Sequence, residues 1–374
     1  MPFADFATSQ AKSPETSEGT RKSSRFRSFL TSGGYIVILS ALLVVAVVIW
    51  RGSVIISQWN DRAIGNGVDI DSYGYDTSNL TVDDAYFVAA GYPRDGIRPL
   101  TNPDKLTVAE ANEFHKYLRK EHHHKFIVGS DLVAGVMIDG VATAYPLRLL
   151  AWHQVVNDDV GGVPIVVTYD PLCDSTVVFD RRVANEMLEF GTSGLVYNSN
   201  LVFYSQGKTR MDESLWSQLG FGAIAGRHAG AELRIVPFSV LPWDVWRRLH
   251  PDTTVMKLDL DRLRLYRQTF GWYYGSDELK FPVSRIPNET HETLLKSSMI
   301  AVNPRQGGPC YLVDDIAAQA DASGHGAIKA GDREIRVAVA PTGDAAWVDG
   351  QYAEPVTVVP CFRFAAYAFG FFEE

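Results

Sequence analysis

At 374 residues, with 46% hydrophobic, 21% charged and 11% aromatic side chains, the chain has ample material for a globular core and lacks the composition of a disordered polymer. The formal net charge of -9 excludes a nucleic-acid footprint, which needs clustered Lys and Arg to displace counterions from phosphates. The length suits either one large β-rich domain with appendages or two domains.

Residues 1–28 are rich in Ser, Thr, Lys and Arg and poor in apolar side chains, and read as a disordered cytoplasmic tail. Residues 29–50 carry no charge and include the run YIVILSALLVVAVVIW. A helix of about 20 apolar residues crosses a hydrocarbon core of roughly 30 Å, so a single transmembrane helix in contact with membrane lipid is predicted here. Lys12, Arg21, Lys22, Arg25 and Arg27 precede it, whereas only Arg51 and Arg62 follow within a similar distance. That asymmetry places the N-terminus in the cytoplasm and the main domain in the periplasm or outside the cell. A cleaved signal peptide is the competing reading, but the run is long for one and no Ala-x-Ala site follows Trp50.

Residues 51–106 contain Gly, Asn, Asp and Tyr without a clear period and read as an extended connector to an outer domain over 107–374. Thr107 with Glu110 forms a capping box, and Val108, Ala111, His115, Leu118 and His122 share one stripe, which predicts a helix from Val108 to Glu121. A hairpin follows, Val133–Ile138 and Val141–Tyr145, turning on Asp139-Gly140. Further strands are expected at Ile165–Tyr169, Thr176–Phe179, Met187–Phe190, Leu195–Tyr197, Leu201–Tyr204, Leu233–Pro237, Ile335–Ala340 and Val356–Val359, with a short helix over Pro242–Leu249. The aromatic run FRFAAYAFGFF is too short and too Gly-interrupted to span a membrane and reads as a buried closing element. The fold class expected is thus mainly β, a β-rich α+β outer domain behind a single N-terminal transmembrane helix.

The stretch WHQVVNDDVGGVPIVVTYDPLCDSTVVFDR, from Trp152 to Arg181, concentrates the site-like residues. With SGLVYNSNLVFYS (193–205), SLWSQ (214–218) and WDVWRRLHPDT (243–253), in register from about Gly129 onward, it resembles a bacterial and archaeal family termed domain of unknown function 3179. The resemblance implies no activity. The family's usual loop reads Cys-Pro-Leu-Cys followed by Gly, whereas here Asp170, Pro171, Leu172, Cys173 and Asp174 stand in those places, so a disulfide within the loop is impossible.

His153, Asp170 and Cys173, with Asp174 nearby, form the sharpest candidate cluster, a nitrogen, carboxylate and thiolate set suited to zinc or copper. The competing reading makes His153 a core residue tying a loop and Cys173 a small buried hydrophobe. His115, His122, His123 and His124 lack the four-residue spacing of a zinc helix and read as a solvated helix end. Gly191-Thr192-Ser193-Gly194 lacks the final Gly of a nucleophile elbow, so a tight turn is preferred to a Ser193 hydrolase. Asn157, Asp158 and Asp159 before Gly161-Gly162 are either cleft carboxylates or an ordinary polar turn. Of the three cysteines, Cys310 and Cys361 are the pair expected to bond if any does. Trp216, Trp243, Trp246 and Trp272 are candidates to line a groove for sugars or apolar ligands, against a core role. Two functions stay open: a metal-dependent or redox-linked envelope protein using His153, Asp170 and Cys173, or a non-catalytic envelope module that binds a partner or small ligand.

Overall fold

The structure, a computed structural model, describes residues 36, 39, 40, 42–47 and 63–371, with 277, 288–294 and 351 excepted. The chain divides into two units, Met1–Arg62 and Ala63–Glu374. In the first, the described residues are helical with exposed side chains. The tail over 1–28 and most of the span expected at 29–50 lie outside the described residues, among which no helix is long and apolar enough to cross a membrane.

The second unit is β-rich. Its first sheet runs in the order β15 (Phe238–Pro242), β4 (Leu132–Ile138), β5 (Val141–Pro146), β16 (Thr254–Met256), β3 (Lys105–Thr107). The β4–β5 hairpin turns on Asp139 and Gly140, both at positive φ (49° and 81°), the backbone that matches the twist of the flanking strands. Helix α1 (Val108–His122) starts at the Thr107–Glu110 capping box and stops at His123, whose left-handed backbone returns its N–H to Leu118. Helix α2 (Leu147–Leu150) leaves β5 immediately after Pro146, and α3 (Trp243–Leu249) leaves β15 after Pro242, which needs no N–H in the first turn.

The second sheet, β2 (Leu100–Thr101), β6 (Val155–Val160), β7 (Val163–Asp170), β8 (Ser175–Asp180), is covered on both faces. Strand side chains alternate between faces, so Ile165, Val167 and Val178 enter one apolar core while Val166, Val177 and Phe179 enter another. This sheet is a wall shared by two cores. Asn157, Asp158 and Asp159 lie within β6 rather than in a turn: Asp158 accepts the Tyr145 hydroxyl (2.6 Å) and the Lys105 ammonium (2.8 Å), while Asp159 is exposed and accepts the Gly162 N–H at 3.0 Å.

The third sheet, β1 (Phe87–Ala89), β11 (Phe190–Tyr197), β12 (Asn200–Ser205), β13 (Ser214–Ser217), β14 (Gly222–Gly226), closes the second core with Phe190, Phe203 and Trp216. A two-stranded ribbon, β9 (Arg182–Val183) with β10 (Glu186–Met187), precedes it. The tight turn expected at Gly191–Gly194 is instead a bulge inside one continuous strand, with the register shifting between Thr192 and Leu195. Residues 63–90 cross the outer face of this sheet, where Tyr73 and Phe87 pack on Leu195, Val202 and Leu215. The Tyr73 hydroxyl donates to the Tyr92 carbonyl at 2.6 Å, and β1 pairs with the edge of β11. The expected strand over Leu233–Pro237 is irregular chain that only borrows bonds from β8, such as Val236 N–H to Val178 O at 2.9 Å, since Pro237 cannot continue a ladder.

After α4 (Gly271–Tyr274), a fourth sheet holds β18 (Cys310–Leu312), β17 (Ser298–Val302) and β22 (Val358–Phe362), and a fifth holds β19 (His325–Ala330), β20 (Arg333–Val339) and β21 (Ala346–Val348). Helix α5 (Val313–Ala318) packs between them, and α6 (Arg363–Ala368), from the aromatic run, is buried in the second core with Phe364, Ala365 and Ala366. Cys310 and Cys361 face β17 from opposite edges, across Ala301 and Met299. Two strand spacings, roughly 9.5 Å, exceed the reach of a disulfide, and all three cysteines are free, which corrects the expected pairing.

Candidate functional site

Three of the four motif stretches converge on one buried polar knot at the second core. Asp170, the last residue of β7, falls on the same face as Val166 and Thr168, and is 2% exposed. Its Oδ1 accepts the Leu172 N–H at 2.9 Å, and its Oδ2 accepts the Leu201 N–H at 2.8 Å and the Asn200 side-chain amide at 3.2 Å. The Asn200 amide also meets Ser175 Oγ (3.1 Å) and Gln218 Oε1 (2.8 Å), while Gln218 Nε2 donates to Thr168 Oγ1 and the Ser175 carbonyl, each at 3.1 Å. The β7–β8 loop, the β11–β12 turn and the end of β13 are thereby sewn together. Asn198 and Ser199 make that turn at positive φ, 50° and 59°.

Burial pushes the Asp170 carboxyl up to about 6, against the lowering effect of the N–H groups that it accepts. Burial likewise pushes the Cys173 thiol well above its usual range, and the Sγ donates to the Ser199 carbonyl at 3.3 Å. A thiol held in that form is a poor nucleophile. The Cys173 carbonyl accepts the Phe362 N–H at 2.7 Å, which ties β22 to the loop. Asp174 adopts φ 46°, a left-handed backbone that glycine takes up with less strain than any side chain. Burial raises its carboxyl to about 6, while the Tyr169 hydroxyl donating to it at 2.7 Å acts to lower it.

His153 stands apart from this knot. Its Nδ1 faces the Arg98 carbonyl at 2.8 Å and its Nε2 the Tyr266 hydroxyl at 2.7 Å, so both nitrogens are occupied, and burial holds the imidazole neutral. Tyr266 belongs to the first core and Cys173 to the second, with the shared sheet as the wall between those cores. Among the described residues, no group of three or more His, Cys, Asp and Glu side chains could hold a metal ion. The set His153, Asp170, Cys173 therefore does not fit zinc or copper, for want of convergence and of free donor atoms. The helix-end histidines do not converge either: His122 faces the Tyr117 hydroxyl and His124 the Lys125 carbonyl. Ser193 is fully buried, its hydroxyl donating to the Val202 carbonyl and accepting the Leu195 N–H, which leaves it no role as a nucleophile.

The open space lies elsewhere. A groove of about 420 Å³ runs between β4, β15 and α3 on one side and the segment after β21 on the other. Met137, Phe238, Trp246, Trp347 and Tyr352 supply much of its apolar wall, and Ser239, His250 and Asp349 its polar side chains. Of the tryptophans singled out in the sequence, Trp246 alone lines it. The His250 ring lies 4.1 Å from that of Trp246 between centroids, and burial pushes its imidazole below the usual range. Sequence reasoning reached this groove only through Trp246 and its motif, because the facing walls come from stretches about a hundred residues away along the chain.

The family model described as "Protein of unknown function (DUF3179)" matches residues 94–363. No curated protein and no solved structure matches the chain.

Proposed function

The chain belongs to the family of proteins of unknown function DUF3179, and we propose that it is a membrane-anchored envelope module that binds a small ligand, its motif residues serving as structural ties. One observation carries this reading: Asp170, Asn200, Ser175 and Gln218 satisfy one another and the neighbouring backbone, and every one of them is buried. A catalytic constellation needs a face open to substrate, whereas a network closed on itself fixes the relative position of strands. The uncharged run over 29–50 and its basic N-terminal flank support the anchor, with the main domain on the far side of the bilayer. The groove beside Trp246 has the size and apolar lining expected of a ligand pocket.

The test has two arms. Membranes from cells producing the full chain are washed with alkaline carbonate; retention supports the anchor, and release into the supernatant overturns it. The purified chain is then compared with its Cys173→Ala variant. Retained fold, a lowered unfolding midpoint and unchanged metal content support the structural role. Loss of stoichiometric metal or of a turnover reaction, with the fold intact, overturns it.

A further inference from the structure

We propose that the groove between α3 and the segment after β21 binds an organic cation: an amine carrying an apolar body, with Asp349 as its counter-charge. The inference rests on the ligand-binding reading above and names the ligand class. Four aromatic side chains line the groove, Phe238, Trp246, Trp347 and Tyr352, while no Lys or Arg does so among the described residues. Phosphates and carboxylates would find no cation in the lining itself, and an ammonium would find ring faces and a carboxylate.

The arrangement at Asp349 leaves room for that role. His325 Nε2 approaches its Oδ2 at 3.1 Å and Arg336 Nε approaches the same oxygen at 3.5 Å. Oδ1 accepts no hydrogen bond among the described residues, and the side chain is 38% exposed. The His250 ring also lines the groove, tilted against Trp246 and with its nitrogens unbonded among the described residues, a site for a hydroxyl or carbonyl on the ligand body. Met137 and Leu249, 44% and 58% exposed, give the body an apolar floor. A pocket that is mostly apolar with a few convergent polar groups is the usual form of a small-molecule site.

Three probes of like size and different charge read this directly: phenethylammonium, 3-phenylpropan-1-ol and 3-phenylpropionate. Each is titrated into the purified full chain, followed by tryptophan fluorescence and calorimetry. The ammonium is expected to bind about tenfold more tightly than the propionate, and Asp349→Asn to remove most of that preference. Met137→Lys, which places a cation on the groove floor, is expected to reverse it. Equal binding of ammonium and propionate, binding of the alcohol alone, no binding by any probe, or a preference unmoved by both substitutions overturns the cation assignment. The structural role of the motif residues is judged separately by Cys173→Ala, so either conclusion can fail while the other holds.

Discussion

Arg94 and Glu213 meet as a fork: Nη1 of the arginine donates to Oε2 at 2.8 Å and Nη2 to Oε1 at 2.6 Å, with both side chains largely withdrawn from water. The guanidinium also lies over the Tyr204 ring, 3.9 Å from its centroid. Arg94 enters from the segment that precedes β2, and Glu213 sits just ahead of β13, so the pair clamps that segment onto the third sheet. Removing one partner strands a charge in a poorly hydrated place. Arg94→Met is expected to lower unfolding free energy by about 3 kcal/mol, whereas Arg94→Met with Glu213→Leu recovers most of the loss. Urea denaturation of the four chains of the cycle gives the answer, and a double variant no better than the singles would refute it.

The Asp170 carboxyl makes stability depend on pH with a definite sign. An unfolded carboxyl titrates near 4, and burial raises the folded one to about 6. Below roughly pH 4 both states hold the proton and the group costs nothing; from there to pH 6 the unfolded chain releases its proton while the folded chain keeps it. Stability contributed by this group is therefore lost as pH rises through about 6, on the order of 2–3 kcal/mol in all. Asp174 adds to the same trend. Denaturant midpoints at pH 4.5, 5.5 and 7.5 should show the Asp170→Asn chain gaining on the wild type as pH rises. An unchanged difference between the two would count against it.

At Gly194, φ is 82° and an added Cβ would stand 2.5 Å from the Tyr73 ring and 2.7 Å from the Tyr92 carbonyl. Gly194→Val is expected to cost at least about 2 kcal/mol through strain and overpacking. It should also loosen the strap over residues 63–90. Hydrogen exchange at the Thr81 and Ala90 amides, which bond to the Ile224 and Gly194 carbonyls, should accelerate before exchange in β12. Simultaneous acceleration would mean that the strap is not a separate unit.

The thiols offer a further check. Burial raises all three, Cys310 to about 12 and Cys173 and Cys361 well above their usual range. Iodoacetamide at pH 7 should leave the folded chain unmodified over hours and label all three cysteines in urea. Mass spectrometry showing rapid labelling of Cys173 in the native protein would reopen the case for a reactive loop.

Local rules carried the sequence reading a long way. The Thr107–Glu110 box, the Asp139-Gly140 turn and the start of α3 after Pro242 each depend on neighbours within a few residues, and each stands in the structure as the residues demand. The glycines at 191 and 194 show where that reading ends, because a bulge and a turn need the same backbone freedom and only the partner strand β12 decides between them. The motif loop was legible as a gathering of polar residues, but its partners Asn200 and Gln218 were not, since burial and satisfaction depend on strands meeting from afar. The same limit separated His153 from Cys173: twenty residues apart in sequence, they serve different cores.

The bond from the Phe362 N–H to the Cys173 carbonyl, with α6 packed just beyond it, bears on how the protein is made. The second core cannot close during synthesis until residues 358–368 have left the ribosome, although the strands around Cys173 emerge nearly two hundred residues sooner. In that interval the apolar faces of β8 and β12 lack part of their cover, an opening for chaperone capture or misassembly that a domain with a more locally assembled core would not present.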